Sequence, residues 1–230
     1  MKLHHLPASN TRLRGLPRRG VTMIVVLMFL LAVTGIAIFS ARYALFGEGM
    51  ARNQLDLEVA RQAAEAALRD AERDLRLVAG TPQPGAACPR NRVPDEPLSK
   101  SRFLFNEQCA QGQCFLDKTL YAERTWKKDS KNDKAEPWWP SANGGLWNDN
   151  FDQKPGGKSA SCTFNGAVPL GTYTGVAQLA GVARQPEYLI EFLSTDANKG
   201  VMFRISARGF GYSENTQVLL QSYFVPPEES

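Results

Sequence analysis

Cys88, Cys109, Cys114 and Cys162 carry the readiest covalent chemistry in this 230-residue chain. A thiol can bridge, ligate a metal or attack an electrophile, and each use demands its own neighbours. Nucleophilic attack wants a base within reach, most often an imidazole. Both histidines, His4 and His5, lie in the first twenty residues, so nothing after residue 20 can build a Ser-His-Asp or Cys-His site. Zinc would want paired CxxC spacings or histidines, and neither occurs. An even number of cysteines behind an export signal points to an oxidising compartment and disulfides, with three connectivities open. The short polar loop with Gly112 between Cys109 and Cys114 favours a local bridge there, with Cys88 to Cys162 as the second.

Other polar groups carry weaker signals. Asn148, Asp149, Asn150 and Asp152 crowd oxygen ligands together, but a calcium loop wants alternating acids, a glycine and a closing glutamate. A solvated turn is the better reading, and Lys127, Lys128, Lys131 and Lys134 read as a solvated face. No phosphate loop or framed carboxylate pair is present. The expectation is therefore a protein that is not an enzyme and holds no cofactor or metal. The four tryptophans, Trp126, Trp138, Trp139 and Trp147, fall between residues 118 and 158 among charges, glycines and prolines. They could form a contact surface for another subunit, a cell surface or a glycan. The favoured alternative is that they pin a long loop to its domain, since each ring buries a large area.

The formal charge of +4 dissolves on inspection. Lys2, Arg12, Arg14, Arg18 and Arg19 belong to a leading segment without acids, and the rest holds 22 basic against 23 acidic residues. That balance argues against a nucleic-acid partner.

Behind "RRG" at 18–20 come 21 residues without a charge, enough to cross a hydrocarbon core of roughly 30 Å as a helix. The basic flank places the N-terminus in the cytoplasm. A cleavable secretory signal would have a shorter apolar core, then small residues and a change of character. Here the helical pattern continues: Ala60, Ala64, Ala67, Leu68, Ala71, Leu75 and Val78 share one stripe. Glu58–Arg61, Arg61–Glu65, Glu65–Arg69 and Glu72–Arg76 are spaced for ion pairs on the exposed side. Residues 21–79 read as one rod, on the order of 85 Å if fully helical. Gly35, Gly47 and Gly49 weaken it locally, and Gly80, Pro82 and Pro84 stop it.

Residues 80–185 read as loops and short strands. Three runs, 187–193, 201–208 and 216–224, read as strands separated by turn signals. An antiparallel sheet of three or four strands lying on the alanine stripe would bury both apolar faces. The expected class is α+β.

A basic leader ending in glycine, an apolar helix turning amphipathic and a cysteine-bearing outer domain together resemble the type IV pilin superfamily, with its class III signal peptide. "AAEAALRDAE" (63–72) and "FRISARGFGYSENTQVLLQSYF" (203–224) are similar to the PilX-type minor pilins of type IV pilus assembly. The resemblance implies a leader over 1–20 cut between Gly20 and Val21 by the prepilin peptidase, with methylation of the new amine; the alternative is an uncut cytoplasmic flank. It further implies a transmembrane and filament-core helix over 21–41, packing through Val25, Leu27, Phe29, Leu30 and Leu31, an amphipathic helix over 42–79 and an outer globular domain over 80–230. The implied location is the inner membrane and, after assembly, the pilus, with other minor pilins and the major pilin as partners. Most pilins place a glutamate five residues after the cut; here that position is Val25. A subunit lacking this acid suits the first position in a filament. A tip adhesin and a type II secretion tip pseudopilin are the alternatives, although the large helical insertion of the latter is not seen.

Overall fold

The computed structural model describes residues 21–77, 83–90, 101–115, 136–148, 162–193 and 201–226. Gly20, Trp126, Val78, Asp149, Asn150, Asp152 and the four lysines lie outside them.

The chain divides into two compact units, residues 1–51 and 52–230. One helix, α1 (Val21–Leu75), contributes to both. In the first unit the described residues are helical and exposed throughout. The helix runs unbroken through Gly35, Gly47 and Gly49, none of whose positions would bring a Cβ within 4 Å of another group.

In the second unit α1 buries Ala60, Ala63, Ala64, Ala67, Ala71 and Leu75 together with Asp70 and Asp74. The spacing keeps these side chains on one side of a helix. α1 ends at Leu75, short of residue 79, because its last amides tighten: Arg76 N–H donates to Arg73 O at 2.9 Å and Leu77 N–H to Asp74 O at 3.1 Å. Such three-residue spacing is common at helix ends. On the exposed side Arg61 and Arg69 both meet Glu65, at 3.3 and 3.9 Å. Glu58 instead accepts from Gln62, and the Arg76 guanidinium lies over the Phe224 ring.

The sheet has five strands: β1 (Gln113–Phe115), β2 (Val168–Pro169), β3 (Glu187–Leu193), β4 (Met202–Phe210) and β5 (Gln217–Phe224). Its order is β1-β3-β4-β5, with β2 also on β3. The β3–β4–β5 core is antiparallel. Beyond the expected core, β1 joins in parallel along Ile190–Phe192, and β2 joins antiparallel along Glu187 and Tyr188. The two short strands share one edge of β3, so the sheet is mixed.

Strand alternation gives the sheet two faces. Tyr188, Ile190, Phe192, Phe203, Ile205 and Ala207 share the apolar cluster of Ala67, Ala71 and Leu75 from α1. The opposite face carries Leu189, packed with Trp147, Ala167, Cys109 and Cys114. It also carries two cross-strand pairs in register, Glu187 with Arg208 and Glu191 with Arg204. The architecture is α+β, one long helix against a mixed sheet.

Candidate functional site

Among the described residues no arrangement of side chains resembles a catalytic centre; what they build is one exposed apolar surface and, in the second unit, the contacts that join helix to sheet. The exposed surface is the apolar part of α1. Val25, Leu27, Phe29, Leu30 and Leu31 are between 56 and 69% exposed, and Val21 begins the described helix at 66%. No acidic residue occurs between Val21 and Gly47. Thr34, the one hydroxyl near its middle, donates to Leu30 O at 2.9 Å, with Leu31 O at 3.0 Å as a second acceptor. That leaves little polarity to resist lipid. The most apolar stretch has a mean hydropathy of 2.8 and none of it is buried, so it is long and apolar enough to span a membrane. Exposed apolar area of this extent demands a bilayer or other helices around it.

The second unit takes hold of α1 through three aspartates. Asp56 accepts from Tyr212 N at 2.5 Å, from Ser213 N at 3.3 Å and from the Thr216 hydroxyl, fastening the β4–β5 turn to the helix. The Thr216 bond in particular holds its carboxyl below the ordinary 3.8; slight burial opposes this, and the two amides add to it. Asp70 accepts from Gly171 N at 2.7 Å and from the Thr174 hydroxyl. Here burial prevails over those bonds and raises the carboxyl above 3.8. Asp74 takes a two-pronged contact from Arg90, Nε to Oδ1 at 2.8 Å and Nη2 to Oδ2, and accepts from the Tyr188 hydroxyl at 2.9 Å.

Arg90 then donates to Gln111 O at 2.7 Å and lies 3.9 Å over the Tyr173 ring. Burial acts to lower its pKa, but Asp74 outweighs that and the guanidinium stays charged. Burial likewise pushes Tyr188 well above its ordinary value, with the Asp74 charge adding to it, and raises Tyr173 to about 12. Both phenols remain neutral donors or ring surfaces.

Sequence reasoning missed these aspartates. The available signal was their register: residues 56, 60, 63, 67, 70 and 74 follow the alternating three- and four-residue spacing of the buried stripe, so Asp70 and Asp74 occupy core positions. A buried carboxylate needs partners, and these have them.

Close approach is the other device. A Cβ on Gly209 would lie 2.1 Å from Ala60 O and 2.3 Å from Ala64 N. One on Gly211 would lie 2.1 Å from Asp56 Oδ1. The glycines of "ARGFGY" are thus where β4 and its turn touch the helix backbone.

The opposite sheet face is covered by residues 136–148. Trp147 is buried and its Nε1 donates to Trp138 O at 3.1 Å. Trp138 and Trp139 are half-buried. Arg208, bonded to Glu187 through Nε at 2.8 Å and through Nη2, lies 4.9 Å from the Trp147 ring centre. Arg204 meets Glu191 at 2.5 Å and Glu136 at 2.6 Å. Burial acts to lower the Arg204 pKa, and these two carboxylates more than reverse it. Asn148 is committed to this packing, its amide donating to Glu187 and its side chain to Ala167 O, each at 3.3 Å. The sulfurs of Cys109 and Cys114 are bonded, as are those of Cys88 and Cys162. The first pair closes a tight loop in which Cys109, Gln111 and Gly112 all adopt positive φ.

No curated protein and no solved structure matches the chain. Two family profiles do. The PilX N-terminal family matches residues 19–69, which take in the exposed apolar helix and the start of the alanine stripe. The family described as type IV pilus assembly protein PilX, C-terminal, matches residues 110–226, which take in all five strands and both sheet faces. Matched both along the apolar part of α1 and along the sheet of the second unit, the chain belongs to the PilX family of type IV pilus minor pilins.

Proposed function

We propose that this protein primes type IV pilus assembly as one member of a tip complex with other minor pilins. The observation that carries the reading is the exposed apolar helix with valine, not an acid, at position 25. A carboxylate within hydrocarbon is costly unless paired. A subunit that docks beneath a predecessor has such a pairing to make; a first subunit does not. Cleavage between Gly20 and Val21 by the prepilin peptidase, followed by methylation, converts an inner-membrane precursor with a cytoplasmic N-terminus into an assembly-ready subunit. Val25, Leu27, Phe29, Leu30 and Leu31 then exchange lipid for neighbouring helices, including those of the major pilin. Twitching, attachment and DNA uptake would follow from the filament and not from chemistry on this chain.

N-terminal sequencing and intact mass of the membrane-extracted protein, with and without the peptidase, test the processing step. A methylated start at Val21 that depends on the peptidase is the expected result; a start at Met1 in both strains contradicts it. Deleting the gene should abolish or sharply reduce surface pili, and normal piliation would overturn the priming role.

A further inference from the structure

The two edges of the sheet are finished differently. On the β3 side, β1 and β2 take the edge as strands of only three and two residues, and very short edge strands are a common guard against unwanted pairing. On the other side the edge is β5 itself, eight residues in unbroken register with β4. Its sequence, "QVLLQSYF", contains no charge and no proline, and no bulge twists it away. In an antiparallel pair alternate residues turn both N–H and C=O away from the partner. Among the described residues no strand lies outside β5, and no backbone group of 217–224 bonds beyond β4. What such a row of alternating donors and acceptors fits is another extended backbone.

The side chains narrow the choice. Leu219 and Tyr223 stand in register with Arg208 and Arg204 on the face away from α1, and they are 41 and 63% exposed. Both arginines are already bound to carboxylates, Glu187 for Arg208 and Glu191 with Glu136 for Arg204. A charged residue opposite Leu219 or Tyr223 would thus meet no free counter-charge, whereas an apolar one would pair with each. Val218, Leu220 and Phe224, half-buried on the helix side, favour apolar neighbours too.

We infer that β5 is a strand-addition site, taking an uncharged, largely apolar extended segment of another protein as an antiparallel sixth strand. A second copy could offer its own β5, which is uncharged too. Added antiparallel, however, it would turn its α1 end for end relative to the first, and copies anchored in one membrane as proposed above cannot do so. That exclusion rests on the proposed anchorage; the open edge itself does not.

The test is residue-resolved hydrogen exchange by NMR on the full-length protein in detergent. The probe is a peptide of alternating valine and threonine, matched to the eight residues of β5 and carrying a lysine at each end for solubility. With the peptide at about ten times its Kd, the outward amides of β5 should exchange about tenfold more slowly. The alternate amides, already bonded to β4, should not change. A peptide with proline at every second position lacks the donors and should give no slowing. Leu219→Lys replaces one cross-strand apolar pair and should weaken binding about fivefold. Tyr223→Lys serves the same purpose should Leu219→Lys disturb the fold, which circular dichroism would report. No slowing with the valine-threonine peptide overturns the proposal, as does equal slowing with the proline peptide. Slowing that appears without peptide as the protein is concentrated, with a doubled mass by light scattering, also overturns it, by making a second copy the occupant.

Discussion

On the helix side of the sheet, β4 lies so close to α1 that Gly209 has no space for a single added carbon. On the tryptophan side, the same strand presents Arg204 and Arg208, each bound to a carboxylate of β3 and covered by side chains of residues 136–148. One face is thus joined by backbone proximity and small residues, the other by paired charges under aromatic rings. Each also has its own disulfide: Cys88 and Cys162 belong to the helix-side cluster, Cys109 and Cys114 to the tryptophan-side one. A face built on close approach cannot absorb an added atom without moving a whole element. A face built on side-chain pairs can be rebuilt, provided both partners change together. The helix side should therefore be the less tolerant of substitution.

The largest effect is expected from Gly209→Val. Its branched side chain would drive into Ala60 O and Ala64 N, which are backbone atoms of a helix and cannot turn aside. Overpacking commonly costs about 1 to 3 kcal/mol when side chains can adjust; here the helix must leave the sheet, and loss of the folded second unit is the expected outcome. Near-ultraviolet circular dichroism and limited proteolysis of the detergent-solubilised protein would report it. A variant that melts like the parent would show that the close approach is not what joins helix to sheet.

Next in size come the two disulfides. The loop closed by Cys88–Cys162 spans 74 positions, that of Cys109–Cys114 only 5. By the chain-entropy relation, removing them should cost about 4 and about 2 kcal/mol respectively. Between these values lies Arg208→Leu, which takes the guanidinium away from the fully buried Glu187 and should cost about 3 kcal/mol. The double change Glu187→Leu with Arg208→Leu should recover most of that loss, because an apolar pair of similar volume often replaces a buried ion pair without penalty. Denaturant melts of the parent, the single and the double variant measure the coupling. If the double variant is as unstable as the sum of its parts, the tryptophan face is no more repairable than the helix face.

The two faces were also unequally legible in the sequence. Alternation in 203–207 marks which side chains of that strand share a face, although Leu189 and Leu193 break it in 187–193, and the alanine stripe marks the helix surface that meets the sheet. The helix-side core follows from those two periodicities. Alternation does not say what covers the other face, so Glu187, Glu191, Arg204 and Arg208 look like solvent-facing strand positions. Their cover comes from residues about 40 to 70 positions earlier, in a segment without periodicity. The parallel pairing of β1 was hidden for the same reason, since three residues centred on a cysteine carry no strand signal and their partner lies 77 residues on. Asp70 and Asp74 show a further limit: an acid within an apolar register looks like an interruption of the stripe until its partners, Gly171, Thr174, Arg90 and Tyr188, are in place.

The smallest effects should appear as pH dependence, and they separate the rim of the helix contact from its interior. Asp70, raised above 3.8 by burial, holds its proton more tightly in the folded than in the unfolded chain. From its raised value down to 3.8, acidification therefore adds stability through this residue, and at neutral pH its burial penalty is fully expressed. Asp56, lowered chiefly by Thr216, behaves oppositely: its contribution is complete above 3.8 and is lost as pH falls through the lowered folded value. Asp70→Asn should thus make the protein lose stability more steeply on acidification toward pH 3.8, whereas Asp56→Asn should flatten the loss below it. Urea melts across the acid range give both slopes. Equal slopes for the two variants would mean that the interior carboxylate is as well solvated as the one at the rim, and the close packing inferred from Gly209 would then not extend along the helix to Asp70.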